Sequence, residues 1–182
     1  MFKIQIDKEV HLELVHTYHT EEFLLLSNAN KNHIKRWMLW DDERQNSKEL
    51  KRIIEITLEK YAKGKMVNTF IFYNNKMVGE VGIFEIKGRL LKKAEISYWL
   101  DESHQGRGIM RRAVKKIVDI GFKYYALDKI TIRCDTENHR SFNIPLKLGF
   151  NLDGVLRHDM SINGEKRDLN IYSILVDEWV EK

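Results

Sequence analysis

Between an apolar run and a basic stretch, the chain reads Leu100-Asp101-Glu102-Ser103-His104-Gln105-Gly106-Arg107-Gly108-Ile109-Met110. Gly106 and Gly108 allow close backbone approach and left-handed conformations. A helix starting just after them would aim its first unpaired N–H groups, and the positive end of its dipole, into the same space. That chemistry binds phosphate. The spacing is neither Gly-x-Gly-x-x-Gly nor a P-loop ending in Lys-Ser/Thr, which argues against dinucleotide and nucleoside-triphosphate motifs. Charge points the same way. From Lys87 to Lys123 ten basic residues face four acidic ones, so this stretch carries +6 within a chain of net +4. A basic surface concentrated here suits a small polyanion. It does not argue for nucleic acid, since no nucleic-acid motif accompanies it.

Other reactive side chains exclude more than they propose. Cys134 is the single cysteine, so an internal disulfide and a cysteine zinc cluster are both excluded. It alternates with Ile130 and Ile132 and reads as core. His16 and His19 lie three apart with no third ligand, so no metal is expected. Trp37-Met38-Leu39-Trp40, preceded by Arg36, could line an apolar pocket. The acidic segment at Asp41-Asp42-Glu43 leaves a cationic acceptor open. The 182 residues are 43% hydrophobic and 32% charged, a globular composition sized for one domain. No apolar run approaches the roughly 18 residues of a membrane helix. With no secretory stretch at Met1–Gln5, a cytoplasmic protein is expected.

These residues need elements to position them. A strand is expected around Leu12–Val15. Thr20 is expected to cap a helix through Leu26, and a short helix should cover His33–Trp37. Ser47 should cap a longer helix that ends at Lys63-Gly64-Lys65. The period then changes to strands over Val67–Tyr73 and Val78–Ile86 around Asn74-Asn75, with a third at Lys93–Leu100. A helix is expected over Arg107–Tyr125, with Met110, Ala113, Val114, Ile117, Gly121 and Tyr124 on its buried face. Lys129–Cys134 alternates as a strand. Asn138 should cap a helix to Leu148 that contains the only proline, Pro145. Asn163-Gly164 marks a two-residue hairpin. Helices mixed with antiparallel hairpins give an α/β (α+β) three-layer domain.

The loop Gln105-x-x-Gly108-x-Met110 resembles the Gln/Arg-x-x-Gly-x-Gly/Ala pyrophosphate loop of the GCN5-related N-acetyltransferase (GNAT) superfamily. Ala94–Leu100 resembles the strand that precedes that loop, and Asn138-His139-Arg140-Ser141 the Asn-x-x-Ser that opens the next helix. Leu148-Gly149-Phe150, Asp153–Arg157, Asp168 with Tyr172, and the Trp37/Trp40 pair resemble the ribosomal-protein N-terminal acetyltransferases of the RimJ/RimL type.

The resemblance implies one N-acetyltransferase domain over residues 1–182. Its seven-stranded mixed sheet would be splayed between strands 4 and 5, with helices on both faces. Acetyl-CoA, as co-substrate and with no metal, would lie in the splay. Trp99, Leu100, Gln105, Gly106, Arg107, Gly108, Ile109, Met110, Arg111, Asn138 and Ser141 would contact it. The Leu100 amide would hold the thioester carbonyl and Ser141 would protonate the leaving thiolate. Glu95 is the candidate base. Relatives also carry a carboxylate in the strand after Gly154; the matching position here is Met160, with Asp159 expected on the opposite face. Arg36, Trp37 and Trp40 would form the acceptor pocket. The acceptor would be the α-amine of a protein N-terminus, attacking directly in a ternary complex. A polyamine or aminoglycoside-like small molecule, or a non-catalytic coenzyme A-binding regulator, are the alternatives. A homodimer is carried as an expectation, without nucleic-acid or membrane partners.

Overall fold

Runs of β-branched and aromatic residues, each closed by a turn, build one eight-stranded sheet in a computed structural model that describes residues 3–39 and 46–179. The strands are β1 (Lys3–Gln5), β2 (Val10–Leu14), β3 (Val67–Tyr73), β4 (Lys76–Lys87), β5 (Lys93–Leu100), β6 (Lys129–Asp135), β7 (Asn151–Ile162) and β8 (Glu165–Leu175). Their spatial order is β1-β2-β3-β4-β5-β6-β8-β7. Every neighbouring pair is antiparallel except β5–β6.

The expected count of seven is corrected to eight. The extra strand, β1, is a three-residue edge piece paired through Ile4↔Leu12, too short to show a period of two. The expected splay lies between the same two segments, now β5 and β6.

Helices cover both faces. On one side lie α1 (Thr20–Ala29), α2 (Lys31–Lys35) and α3 (Ser47–Ala62). Their Phe23, Leu24, Ile34, Leu50 and Ile54 pack on Phe70, Phe72, Met77 and Trp99 of the sheet. On the other lie α4 (Ile109–Tyr125) and α5 (His139–Lys147). Ala113, Val114, Ile117 and Val118 of α4 enter the main core with Leu12, Ile71, Val81, Ile83, Ile96 and Ile130.

Local chemistry shifted several boundaries. Thr20 is the first residue of α1, and its hydroxyl donates to the Thr17 carbonyl at 2.6 Å instead of capping. Asn46 caps α3 by accepting from Lys48 N–H at 2.9 Å, while the Ser47 hydroxyl donates to Glu21 at 2.6 Å. α4 begins at Ile109, two residues later than expected, because Gly108 is left-handed at φ +70°. Tyr124 is 77% exposed, and Ile109, Val118 and Ile120 join the buried face.

Candidate functional site

β5 and β6 pair only over Lys93↔Lys129, Ala94↔Ile130 and Glu95↔Thr131. Beyond that β5 stays with β4 and β6 stays with β8, so the two strands part. Asp101 N–H is donated to the Val78 carbonyl at 2.8 Å. Strand alternation therefore turns the N–H groups of Tyr98 and Leu100 to the opposite edge, into the gap. An open strand edge facing a gap is a template for an extended, amide-bearing ligand.

The loop that closes the end of this gap is tied down on the far side. Asp101 accepts from the Ser103 hydroxyl at 2.7 Å and from His104 Nδ1 at 2.6 Å. Burial works against the Asp101 charge, and its hydrogen bonds from Ser103, His104 and Asn30 outweigh it, holding the carboxyl below the usual range. Glu102 N–H donates to Asn30 Oδ1 at 2.9 Å, linking the loop to the end of α1. Gly106 (φ +77°) and Gly108 (φ +70°) follow, with no atom within 4 Å of where a Cβ would stand on either. That open space lies at the N-terminus of the 17-residue α4. Ile109 and Met110 are 1% and 6% exposed, so they offer this space backbone N–H groups only. Arg111 is exposed beside them. The donor set fits a pyrophosphate.

The far wall is α5. Asn138 caps it, its Oδ1 accepting from Ser141 N–H at 3.1 Å. The Ser141 hydroxyl donates to the Tyr98 hydroxyl at 3.2 Å. Burial pushes the Tyr98 phenol far up, so it is neutral. Burial also pushes the adjacent Cys134 thiol up to about 11, a packed and unreactive group as its alternation predicted. Gln105 spans the mouth: its amide lies 2.8 Å from His33 Nε2 on α2 and accepts from Arg140 on α5.

Ser97 and Trp99 face the opposite side of β5, under α1 and α2. A cavity of about 180 Å³ there is lined by Phe23, Ile34, Met38, Glu80, Ser97 and Trp99 among others. Glu80, unmarked in the sequence reading, accepts from Trp99 Nε1 at 3.0 Å and from Asn68 Nδ2 at 2.5 Å. Trp99, expected beside the cofactor, thus turns its indole to this side. Gly82 opposes Ser97 across the β4–β5 pair. A Cβ there would sit 2.5 Å from the Val67 carbonyl and 3.0 Å from the Phe84 ring. Phe84 and Ser97 also line a second compartment of about 590 Å³ toward the β6 side.

Of the expected pocket residues, Arg36 stacks over Trp37, 4.8 Å from its ring centre, and neither lines the cavity. Ile34, Met38 and Leu39 do so instead. Trp40 and the acidic segment 41–43 lie outside the described residues. Glu95 lines the second compartment, and its Oε2 accepts from Arg133 Nε at 2.8 Å. Asp159 is corrected. β7 is bulged between Leu156 and Met160, with His158 at φ +52°, and Asp159 accepts from Arg133 at 3.4 Å. The bulge breaks the period-two alternation on which the opposite-face expectation rested. No group of three or more His, Cys, Asp or Glu among the described residues is arranged to hold a metal.

A model of the acetyltransferase (GNAT) domain family matches residues 10–151. The ribosomal-protein-serine acetyltransferase of Escherichia coli K12 is 27% identical over 174 residues, covering 96% of this chain and 97% of that protein. The spermidine N(1)-acetyltransferase of the same organism is 34% identical over 95 residues, 52% of this chain and 50% of that protein. The crystal structure of the microcin C7 self-immunity acetyltransferase MccE, in complex with acetyl-CoA and AMP, superposes with a TM-score of 0.87 at 31% identity, covering 94% of this chain and 95% of that one.

Proposed function

The chain belongs to the acetyltransferase (GNAT) family and uses acetyl-CoA as acetyl donor, and from that premise we propose that its acceptor is the α-amine of a protein N-terminus, of the ribosomal-protein kind. The observation that carries this reading is the shape of the acceptor side. Two compartments meet at Phe84 and Ser97, a groove suited to a peptide with its first residue in the smaller one. Similarity over nearly the full length to a ribosomal-protein-serine acetyltransferase supports it. The spermidine enzyme matches over half as many residues.

In this reading the amides of Gly106, Arg107, Gly108, Ile109 and Met110 receive the pyrophosphate, with Gln105 and Arg111 at its rim. The Leu100 N–H, with that of Tyr98, holds the thioester carbonyl and stabilises the charge that develops on it. Asn138 has spent its Oδ1 on the cap and offers Nδ2 to the pantetheine arm. The acceptor amine attacks from the Ser97 side. Glu95 has no partner on Oε1 among the described residues and takes the amine proton directly or through water. The Ser141 hydroxyl swings from Tyr98 to the leaving sulfur and supplies its proton. Trp99 and Glu80 form the wall against which the acceptor is held.

The enzyme acts as one domain in the cytoplasm; no described helix is long and apolar enough to cross a membrane. The long edge strand β7, with Leu152, Val155 and Leu156 exposed, supports a homodimer.

Three acceptors at equal concentration test the reading: a peptide with a free N-terminus and blocked lysines, the reverse peptide, and spermidine. The α-amine and lysine differ by about 2.5 pKa units, so at pH 7.5 a several-hundredfold larger fraction of the α-amine is neutral. The first peptide is expected to be acetylated fastest. Faster turnover of spermidine would replace the peptide reading with the small-molecule one, and absence of turnover with all three would leave a coenzyme A-binding regulator.

A further inference from the structure

The acceptor groove is electrically polar along its length. At the inner end Glu80 presents a carboxylate whose two hydrogen-bond donors, Asn68 and Trp99, are both neutral. In the second compartment the charges nearest Ser97 are already matched: Arg133 is paired with Glu95 and Asp159, and Lys87 lies 2.6 Å from Glu85. Two cations on that compartment's wall are not matched. Lys60, in the last turn of α3, and Lys65, just beyond it, line the compartment with no ion pair among the described residues. Lys65 is held at the outer end of β4, where its carbonyl accepts from Ile86 N–H at 3.1 Å.

Six residues of strand separate Glu80 from Ile86, at most about 20 Å, and four separate Gly82, opposite Ser97, from Ile86, at most about 13 Å, since Glu85 at φ +53° breaks the regular rise. An extended peptide whose amine sits at Ser97 would bring about its third to sixth residues past Lys60 and Lys65 at the same rise per residue. From this geometry we infer that the enzyme selects N-termini that carry an acidic residue within that window. The ammonium meets the Glu80 end, and the acidic side chain meets the two unpaired lysines. A polyamine would place its second ammonium toward those lysines and be repelled. A peptide with basic residues in the window would suffer the same penalty. This deepens the N-terminal reading above and rests on it.

The test is a set of peptides sharing their first two residues, with Asp, Ala or Lys at positions 4 and 5. Each is assayed for kcat/KM with the parent enzyme and with the doubly reversed variant Lys60→Glu/Lys65→Glu. Exposed ion pairs are individually weak, so the Asp peptide should exceed the Ala peptide by about 3- to 10-fold at low salt. The advantage should shrink at 0.5 M salt, since screening weakens exposed pairs. The reversed variant should prefer the Lys peptide to the Asp peptide. The milder Lys60→Ala/Lys65→Ala variant should simply abolish the preference. Equal rates for Asp and Lys peptides, or a preference indifferent to both variants, overturn the inference while the N-terminal activity stands. If no peptide is acetylated while spermidine is, the N-terminal reading itself has failed and the inference falls with it.

Discussion

Tyr98 and Ser141 are bonded twice. The Ser141 hydroxyl donates to the Tyr98 hydroxyl at 3.2 Å, and the Tyr98 hydroxyl donates to the Ser141 carbonyl at 3.1 Å. The second bond exists because of the chain's single proline. Pro145 has no N–H to close the helical bond to the carbonyl four residues earlier, which is that of Ser141. A helix defect thus supplies the acceptor that orients a strand tyrosine, and the tyrosine in turn accepts from the serine hydroxyl and holds it in place.

Ser141→Ala is therefore expected to lower kcat by about 10- to 1000-fold, the range of one proton-transfer role, with acetyl-CoA affinity within about twofold. Tyr98→Phe separates aim from chemistry. It leaves the Ser141 carbonyl unsatisfied, at a cost of about 1–3 kcal/mol in stability, while kcat falls by less than in Ser141→Ala. Steady-state kinetics with urea unfolding of both variants checks this. An unchanged kcat in Ser141→Ala, with chemistry shown to limit the rate, returns the serine to a purely structural role.

Gly108→Val should abolish the rise in melting temperature that coenzyme A gives the parent. At a concentration of 100 Kd that ligand would add about 2.7 kcal/mol. A valine is strained at φ +70° and would fill the open space above α4. Gly64→Ala, also at positive φ with open space around it but remote from the loop, controls for backbone strain: it should lower the melting temperature and keep the shift. Loss of the shift in both would assign the effect to strain.

The legible parts of this molecule are those where a local rule acts alone. β3 and β5 run over the residues that their composition marks, and Asn138 caps α5 as its type and position require. What escaped depends on contacts distant in sequence. Glu80 is one of two carboxylates in β4, and only the fold reveals that Asn68 and Trp99 point at it. The face of Asp159 depended on a bulge that period-two counting cannot see. Arg36 and Trp37 read as pocket residues by type, but Arg36 stacks on Trp37 and the cavity wall is Ile34, Met38 and Leu39, a choice made by packing that residue type does not reveal. The gap between β5 and β6 was reached through family resemblance, since a splay leaves no periodic trace.

Stability should fall as pH drops below about 6.5. His11 and His19 share Glu13, at 3.1 and 3.2 Å, beneath α1. Burial lowers the pKa of each and outweighs the Glu13 carboxylate, which acts in the opposite direction. Each is neutral in the native state where the unfolded chain starts to bind a proton. The unfolded state then holds more protons, so the loss begins near the ordinary histidine value of about 6.5 and is complete once pH has passed below the native values. His19→Gln should flatten the curve of melting temperature between pH 7 and 5. A wild-type melting temperature constant over that range would contradict the burial argument.

Glu80→Gln should raise the acceptor KM about 10-fold or more, since hydrogen bonds to a charged group are worth about 1.5–3 kcal/mol. Coenzyme A affinity should not change. The substitution removes the charge proposed to receive the acceptor ammonium and keeps the size. It brings a new N–H toward the two donors that Glu80 now satisfies, but the fold has a remedy. Asn68 Oδ1 is buried without a hydrogen-bond partner. Rotating the Asn68 amide by half a turn lets that oxygen accept from the new amide, while the remaining glutamine oxygen still accepts from Trp99; Asn68 Nδ2 then takes the unpartnered place that Oδ1 now holds, so the number of unpartnered buried atoms stays the same. The variant should therefore stay folded, with a melting temperature within a few degrees of the parent. KM rising while the coenzyme A shift and the melting temperature hold is the signature of an acceptor-binding carboxylate. A fall in kcat alone, with KM unmoved, would make Glu80 a proton acceptor instead, and no kinetic change would leave it as a packing group beneath Trp99.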